Sequence, residues 1–204
     1  YEIASCLVGS EMCIRDSAIA DFTEQFPDVK LEVINGNHED LYQALINERV
    51  DLVLNDQRRA FADDYVNFEL VKSRCYIEIS SHHPLSRLDR VEVSDLKNTP
   101  CILVAGKDQQ QNESTYYREI VGFTGEHLFA DTLQDARIMV ASGRGFLPVE
   151  GIRDDVYYDA SIARIPLFKK DEPIRRNYCA FWKEDNSGYY VETFADILKS
   201  QFEL

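Results

Sequence analysis

Three clusters of polar side chains stand where the apolar patterning would start a helix. Asn37 precedes the i, i+3, i+4 apolar set of Leu41, Ala44 and Leu45. Gln111, Asn112, Glu113 and Ser114 follow the apolar run from Pro100 to Val104, and Thr132 precedes Leu133, Ala136 and Val140. The first turn of a helix carries N–H groups that the helix cannot satisfy and the positive end of its dipole. Amides and hydroxyls gathered there suit the binding of a small carboxylate or other polar metabolite. Asn55, Asp56 and Gln57, leaving the apolar strand Val50 to Leu54, would add donors and acceptors, and Phe146 an apolar wall. The plainer reading of the same residues is a set of helix caps and solvated loops. Arg58 and Arg59 stay outside the set, because adjacent arginines in a loop are ordinarily solvated.

Catalytic and metal chemistry find less support. The chain has no GxSxG, no phosphate-binding loop and no HExxH. Gly143-Arg144-Gly145 is followed by Pro148, where a dinucleotide fingerprint needs glycine or alanine. His82 and His83 lack a third ligand at metal spacing, and adjacent side chains of an extended backbone point to opposite sides. Cys101, on an apolar strand after Pro100, reads as core. No catalytic residue, metal or cofactor is expected. Cys6, Cys13, Cys75, Cys101 and Cys179 are odd in number and widely spaced, which reads as reduced thiols of a cytoplasmic protein.

The elements that must position the polar groups can be read from periodicity. From Phe129 to Gly151 the chain spells a strand, a helix capped by Asp131 or Thr132 and stopped at Ser142-Gly143, then a buried strand from Gly145 to Val149. Upstream, Ile19, Phe22 and Phe26 mark a helix closed by Pro27, and Val29, Leu31 and Val33 alternate as a strand. Further strands are expected at Val66–Val71, Cys75–Ile79, Ala163–Leu167 and Arg175–Trp182. Val191, Phe194, Ala195, Leu198 and Phe202 form the stripe of a last helix. Alternating strands and helices make the class α/β with mostly parallel sheets.

Composition narrows the function. The 204 residues are 45% hydrophobic and 28% charged, within the globular range. A net charge of −14 opposes binding to a phosphate backbone, and no basic recognition helix follows a short helix and turn. No run is long enough to span a bilayer, and no signal peptide is recognisable.

Several spacings together resemble one family. They are Phe22, Pro27 and Val29; then Gly36-Asn37 with Leu41 and Leu45; then Val50-Asp51-Leu52; then His83-Pro84-Leu85; then Val140, Ala141, Gly143, Gly145, Leu147 and Pro148. From about Ser17 to Leu204 the chain is similar to the effector-binding domain of LysR-type transcriptional regulators. The resemblance implies two Rossmann-like subdomains of the periplasmic-binding-protein type II-like fold. Subdomain I would be 1–73 and 180–204, and subdomain II 74–179, joined by crossing strands near Val71–Ile79 and Asn177–Trp182. It also implies a small-molecule effector held in a cleft between them, with Asn37, Asn55, Asp56, Gln57, Gln111, Asn112, Glu113, Ser114, Thr132 and Phe146 as ligand-binding candidates. DNA would be bound only through a separate N-terminal winged helix-turn-helix absent from this chain. The effector domains would pair as a homodimer, a tetramer in the full-length protein, with the helices around Leu41–Leu45 and Ile19–Phe26 as candidate contacts. The alternative is a free-standing solute-binding protein feeding a transporter, which would need a signal peptide and would avoid free thiols. Ser5 to Ser17 departs from the family pattern, so no site residue is carried over there; a fresh read of the source DNA would test whether this segment belongs to the scaffold.

Overall fold

A computed structural model describes residues 2–5, 10–35, 38–56, 63–151 and 159–203. In chain order its main elements are β1 (Glu2–Ser5), α1 (Ser10–Gln25), β2 (Glu32–Asn35), α2 (His38–Ile46), β3 (Leu52–Asp56), β4 (Tyr65–Ser80), β5 (Val91–Glu92) and β6 (Cys101–Val104). There follow α3 (Gln110–Tyr116), β7 (His127–Ala130), α4 (Leu133–Ala141), β8 (Phe146–Gly151), β9 (Ile162–Lys169), β10 (Glu172–Pro173), β11 (Arg175–Lys183) and α5 (Tyr189–Glu203). Expected positions Asn37 and Gln57, like Arg58 and Arg59, lie outside the described residues.

The chain divides into two compact units, Tyr1–Lys72 with Arg176–Leu204, and Ser73–Arg175. It passes from one to the other within β4 and returns within β11, ahead of the return expected at residue 180. No helix among the described residues is long and apolar enough to cross a membrane.

In the first unit β1 lies between β2 and β3, parallel to both, and β11 runs antiparallel along β3. Leu41, Ala44 and Leu45 of α2 pack on Val53, Cys179 and Phe181, so α2 covers one face of this sheet. Since side chains alternate along a strand, Leu52, Leu54 and Asp56 turn to the other face. The stripe on α5 docks as its spacing requires: Phe194 meets Phe22 of α1 edge-on at 5.6 Å, and Ala195 and Leu198 are fully buried. The first helix begins earlier than its apolar stripe suggested, because nothing from Ser10 to Gln25 is glycine or proline and so nothing breaks it. The following strand starts later than expected, at Glu32, because Val29 N–H bonds Phe26 O at 3.0 Å and closes a turn around Pro27.

In the second unit β8 and β9 flank β4 antiparallel, and β6 runs parallel to both β7 and β8. The strands expected separately at Val66–Val71 and Cys75–Ile79 are one strand, β4: Lys72, Ser73 and Arg74 between them carry no turn residue. The two glycines after α4 each have a reason. Gly143 takes φ 75°, and its N–H bonds Val140 O while Arg144 N–H bonds Met139 O, the paired closure of a Schellman motif. At Gly145 a Cβ would lie 2.3 Å from Pro100 O, so only glycine lets β8 approach β6.

Candidate functional site

The first-unit candidates stand at the C-terminal end of β3. Asn55 is 1% exposed; its Oδ1 accepts the Asp56 N–H at 2.9 Å, and its Nδ2 has no hydrogen-bond partner among the described residues. A buried donor left unmet costs about 1–3 kcal/mol. Asp56 is also buried, and Arg176 of β11 donates to its Oδ2 at 3.0 Å. Opposite Asn55 across the strand pair is Cys179, whose thiol is pushed up to about 11 by burial first and then by the Glu69 and Asp56 carboxylates. Burial also pushes the Cys101 thiol up, which disfavours the thiolate at both positions.

The second-unit candidates are spread differently. Gln111 and Asn112 are exposed on α3, and Gln111 Nε2 reaches Thr115 Oγ1 at 3.5 Å. Glu113 and Ser114 are half-buried, and Ser114 Oγ lies 2.5 Å from His127 Nδ1. His127 Nε2 is 3.2 Å from Phe123 O, which requires a proton on Nε2; Nδ1 is then the acceptor and the Ser114 hydroxyl the donor. Partial burial pulls the His127 pKa down, the bond to Phe123 O opposes that, and the Arg118 charge adds to the lowering. No side chain caps the start of α3. Thr132 does cap α4: its Oγ1 accepts the Asp135 N–H at 3.1 Å and donates to Asp135 Oδ2 at 2.6 Å. Phe146, expected as an apolar wall, is 1% exposed and packs edge-on against Phe123 at 5.0 Å. Of the adjacent histidines, His83 caps a 3₁₀ turn by accepting the Leu85 N–H at 3.2 Å. No group of three metal-ligating side chains gathers among the described residues.

One cluster was not foreseen. Glu78 in β4 is 0% exposed, and Arg137 of α4 grips both its oxygens at 2.8 and 2.9 Å. Arg164, paired with it across β4 and β9, donates to Oε1 at 2.6 and 3.2 Å. The signal available in the sequence was a lone glutamate inside the apolar run from Cys75 to Ile79, which demands a counter-charge without naming it.

Comparison with known proteins places this architecture. A regulator named CysB from Haemophilus influenzae is 28% identical over 91 residues, covering 42% of this chain and 27% of its own. One named AceR from Acinetobacter baumannii is 24% identical over 146 residues, covering 71% of this chain and 47% of its own. The chain thus spans less than half the length of these two relatives. Among solved structures, the effector-binding domain of a BenM variant superposes with a TM-score of 0.78 at 14% identity, over 99% of this chain and 94% of that one. The family model of the LysR substrate binding domain matches residues 16–203, and the chain belongs to that family.

Proposed function

We propose that the chain is the ligand-sensing part of a LysR-type transcriptional regulator rather than an enzyme. It takes up a small polar or carboxylate metabolite and thereby biases DNA binding by a winged helix-turn-helix that is not part of this sequence. The match of the family model over residues 16–203 carries this reading. Three buried cysteines outside any disulfide, Cys75, Cys101 and Cys179, favour a reducing cytoplasm over the exported solute-binding alternative. At −14 the chain itself repels duplex DNA. The full-length gene product should therefore shift operator DNA in a metabolite-dependent way while the 204-residue chain alone shifts none. A reading frame with no helix-turn-helix upstream of this chain would overturn the proposal.

The assembly follows the same reading: a homodimer here, a tetramer with the DNA-binding part. The α2 residues Leu41 and Leu45 and α1 residue Phe22 are committed to the core and cannot serve. What stays exposed is Val33 at 37% and Ile34 at 43% on β2, the outermost strand of its sheet, with Ile46 at 44% on α2. An isologous pairing along the β2 edge would cover that edge twice. Ile34→Lys should convert the dimer to a monomer in light scattering at tens of micromolar, roughly where a standard-size interface is occupied.

A further inference from the structure

Two half-buried rings of this chain are each covered by one of its own cations. The Arg90 guanidinium lies 5.1 Å from the centroid of Phe168, and Lys199 Nζ lies 5.0 Å from that of Phe68. Where the end of α1 meets the start of α5, the rings are left differently. Phe26 packs edge-on against Tyr189 at 5.8 Å and against Tyr190 at 5.3 Å, and the two tyrosines meet at 5.5 Å. These contacts hold the Tyr189 ring in place, yet it is 69% exposed, the most open large apolar side chain among the described residues. No cation of the described residues lies over Phe26 or Tyr189. The charge beside them is negative. Asp28, two positions beyond Phe26, is exposed and has no ion pair among the described residues. The last turn of α1 carries no basic residue, so the negative end of its dipole is not offset either. Glu192, one turn along α5 from Tyr189, offsets the positive start of that helix, which would otherwise repel a cation.

An open ring cluster cannot enclose a small ligand, which needs most of its surface buried. Nucleic acid and anionic bilayers are repelled by a chain at −14. A protein surface carrying arginine meets every condition. The guanidinium is flat, stacks on an aromatic face and donates several hydrogen bonds at once, which suits the carbonyl end of a helix. We propose that Phe26, Tyr189 and Tyr190 form a docking face for a partner protein, with an arginine of that partner stacked on Tyr189. Tyrosine and arginine are the residue types that concentrate binding energy in protein interfaces. The test titrates the whole 204-residue chain with acetylated, amidated peptides repeating Arg-Leu-Pro, Lys-Leu-Pro or Glu-Leu-Pro, and follows the aromatic protons by NMR. The arginine peptide should move the rings of Tyr189 and Phe26 saturably, the lysine peptide more weakly and the glutamate peptide not at all. Tyr189→Phe should keep this binding, and Tyr189→Ser should weaken it about fivefold, the scale of a lost cation–π contact. Shifts scattered over the acidic surface, or none that saturate, overturn the proposal in the wild-type chain alone, whether or not a variant folds. Equal affinity in a folded Tyr189→Ser overturns it, as does a lysine peptide that binds equally well. Ring signals that move when the chain is diluted without peptide would give the face to a second copy, and that result overturns it too.

Discussion

Two buried polar groups, one in each unit, are treated in opposite ways. Glu78 accepts four N–H bonds from two guanidinium groups at 2.6 to 3.2 Å, while Asn55 Nδ2 has no partner among the described residues. Glu78 ties α4, β4 and β9 together, so its bonds are bonds between elements of the fold. Among the described residues the Asn55 side chain bonds its own neighbour Asp56. A buried polar group that ties elements of the fold together is saturated by them, whereas the Asn55 amide is left half open among the described residues. The contrast also separates Asn55 from Asp56, which looks equally suited to a ligand in the sequence but is taken by Arg176.

The contrast breaks most visibly at Glu78. Glu78→Gln keeps the shape but removes the carboxylate that Arg137 and Arg164 both grip. Urea unfolding at neutral pH should register a loss of about 3–5 kcal/mol, the usual result of removing one partner of a buried pair. The lower end applies, since the Arg137 side chain keeps 30% of its surface exposed. A loss under about 1 kcal/mol, the scale of a surface ion pair, would show that the cluster is not structural.

Elements whose cause is local were legible in the sequence. The α4 cap at Thr132, the Gly143 stop and the stripe of α5 each depend on residues within a few positions of one another. Glu78 meets residues 59 and 86 positions away, and periodicity carries no information about such partners. The joining of β4 was missed for a related reason: lysine, serine and arginine at 72–74 look like a polar break, yet Ser73 is 0% exposed and the strand runs on without interruption. An apolar residue after a glycine reads alike whether it faces a ligand or the core, and the sequence gives no hint of the contact that Phe146 makes with Phe123.

Thr132 gives the next effect. Its hydroxyl is engaged twice with Asp135, so Thr132→Ala should cost about 1 kcal/mol of stability, and Thr132→Ser should restore most of it. Effector affinity, measured by calorimetry, should move little in either variant, because the hydroxyl has no proton left to donate. A large loss of affinity would return Thr132 to the ligand set.

His127 should give a smaller effect, read against pH. Its pKa is lowered in the folded state, so the unfolded chain binds the proton more readily. The sign is then fixed: the contribution is complete above the ordinary histidine pKa, about 6.5, and is lost as pH falls toward the folded value. Protonated Nδ1 can no longer accept from Ser114, which loosens α3 from β7. The melting temperature of the wild-type chain should fall between pH 7.5 and pH 5 more steeply than that of His127→Gln, which has no proton to take up. Parallel curves would mean that the Ser114 contact does not depend on the histidine being neutral.

The smallest effect is expected where the donor is unmet. Asn55→Leu removes the acceptor of the Asp56 N–H, a loss of about 1–3 kcal/mol, but it also removes a buried donor whose isolation costs about as much. The leucine is close to asparagine in length and comes to rest beside Val53, Cys179 and Phe181, where added apolar contact is favourable. The three contributions nearly cancel, so the urea midpoint of the ligand-free chain should change by less than about 1 kcal/mol equivalent. A loss as large as that of Glu78→Gln would mean that Nδ2 already has a structural partner, and the difference between the two buried groups would disappear with it.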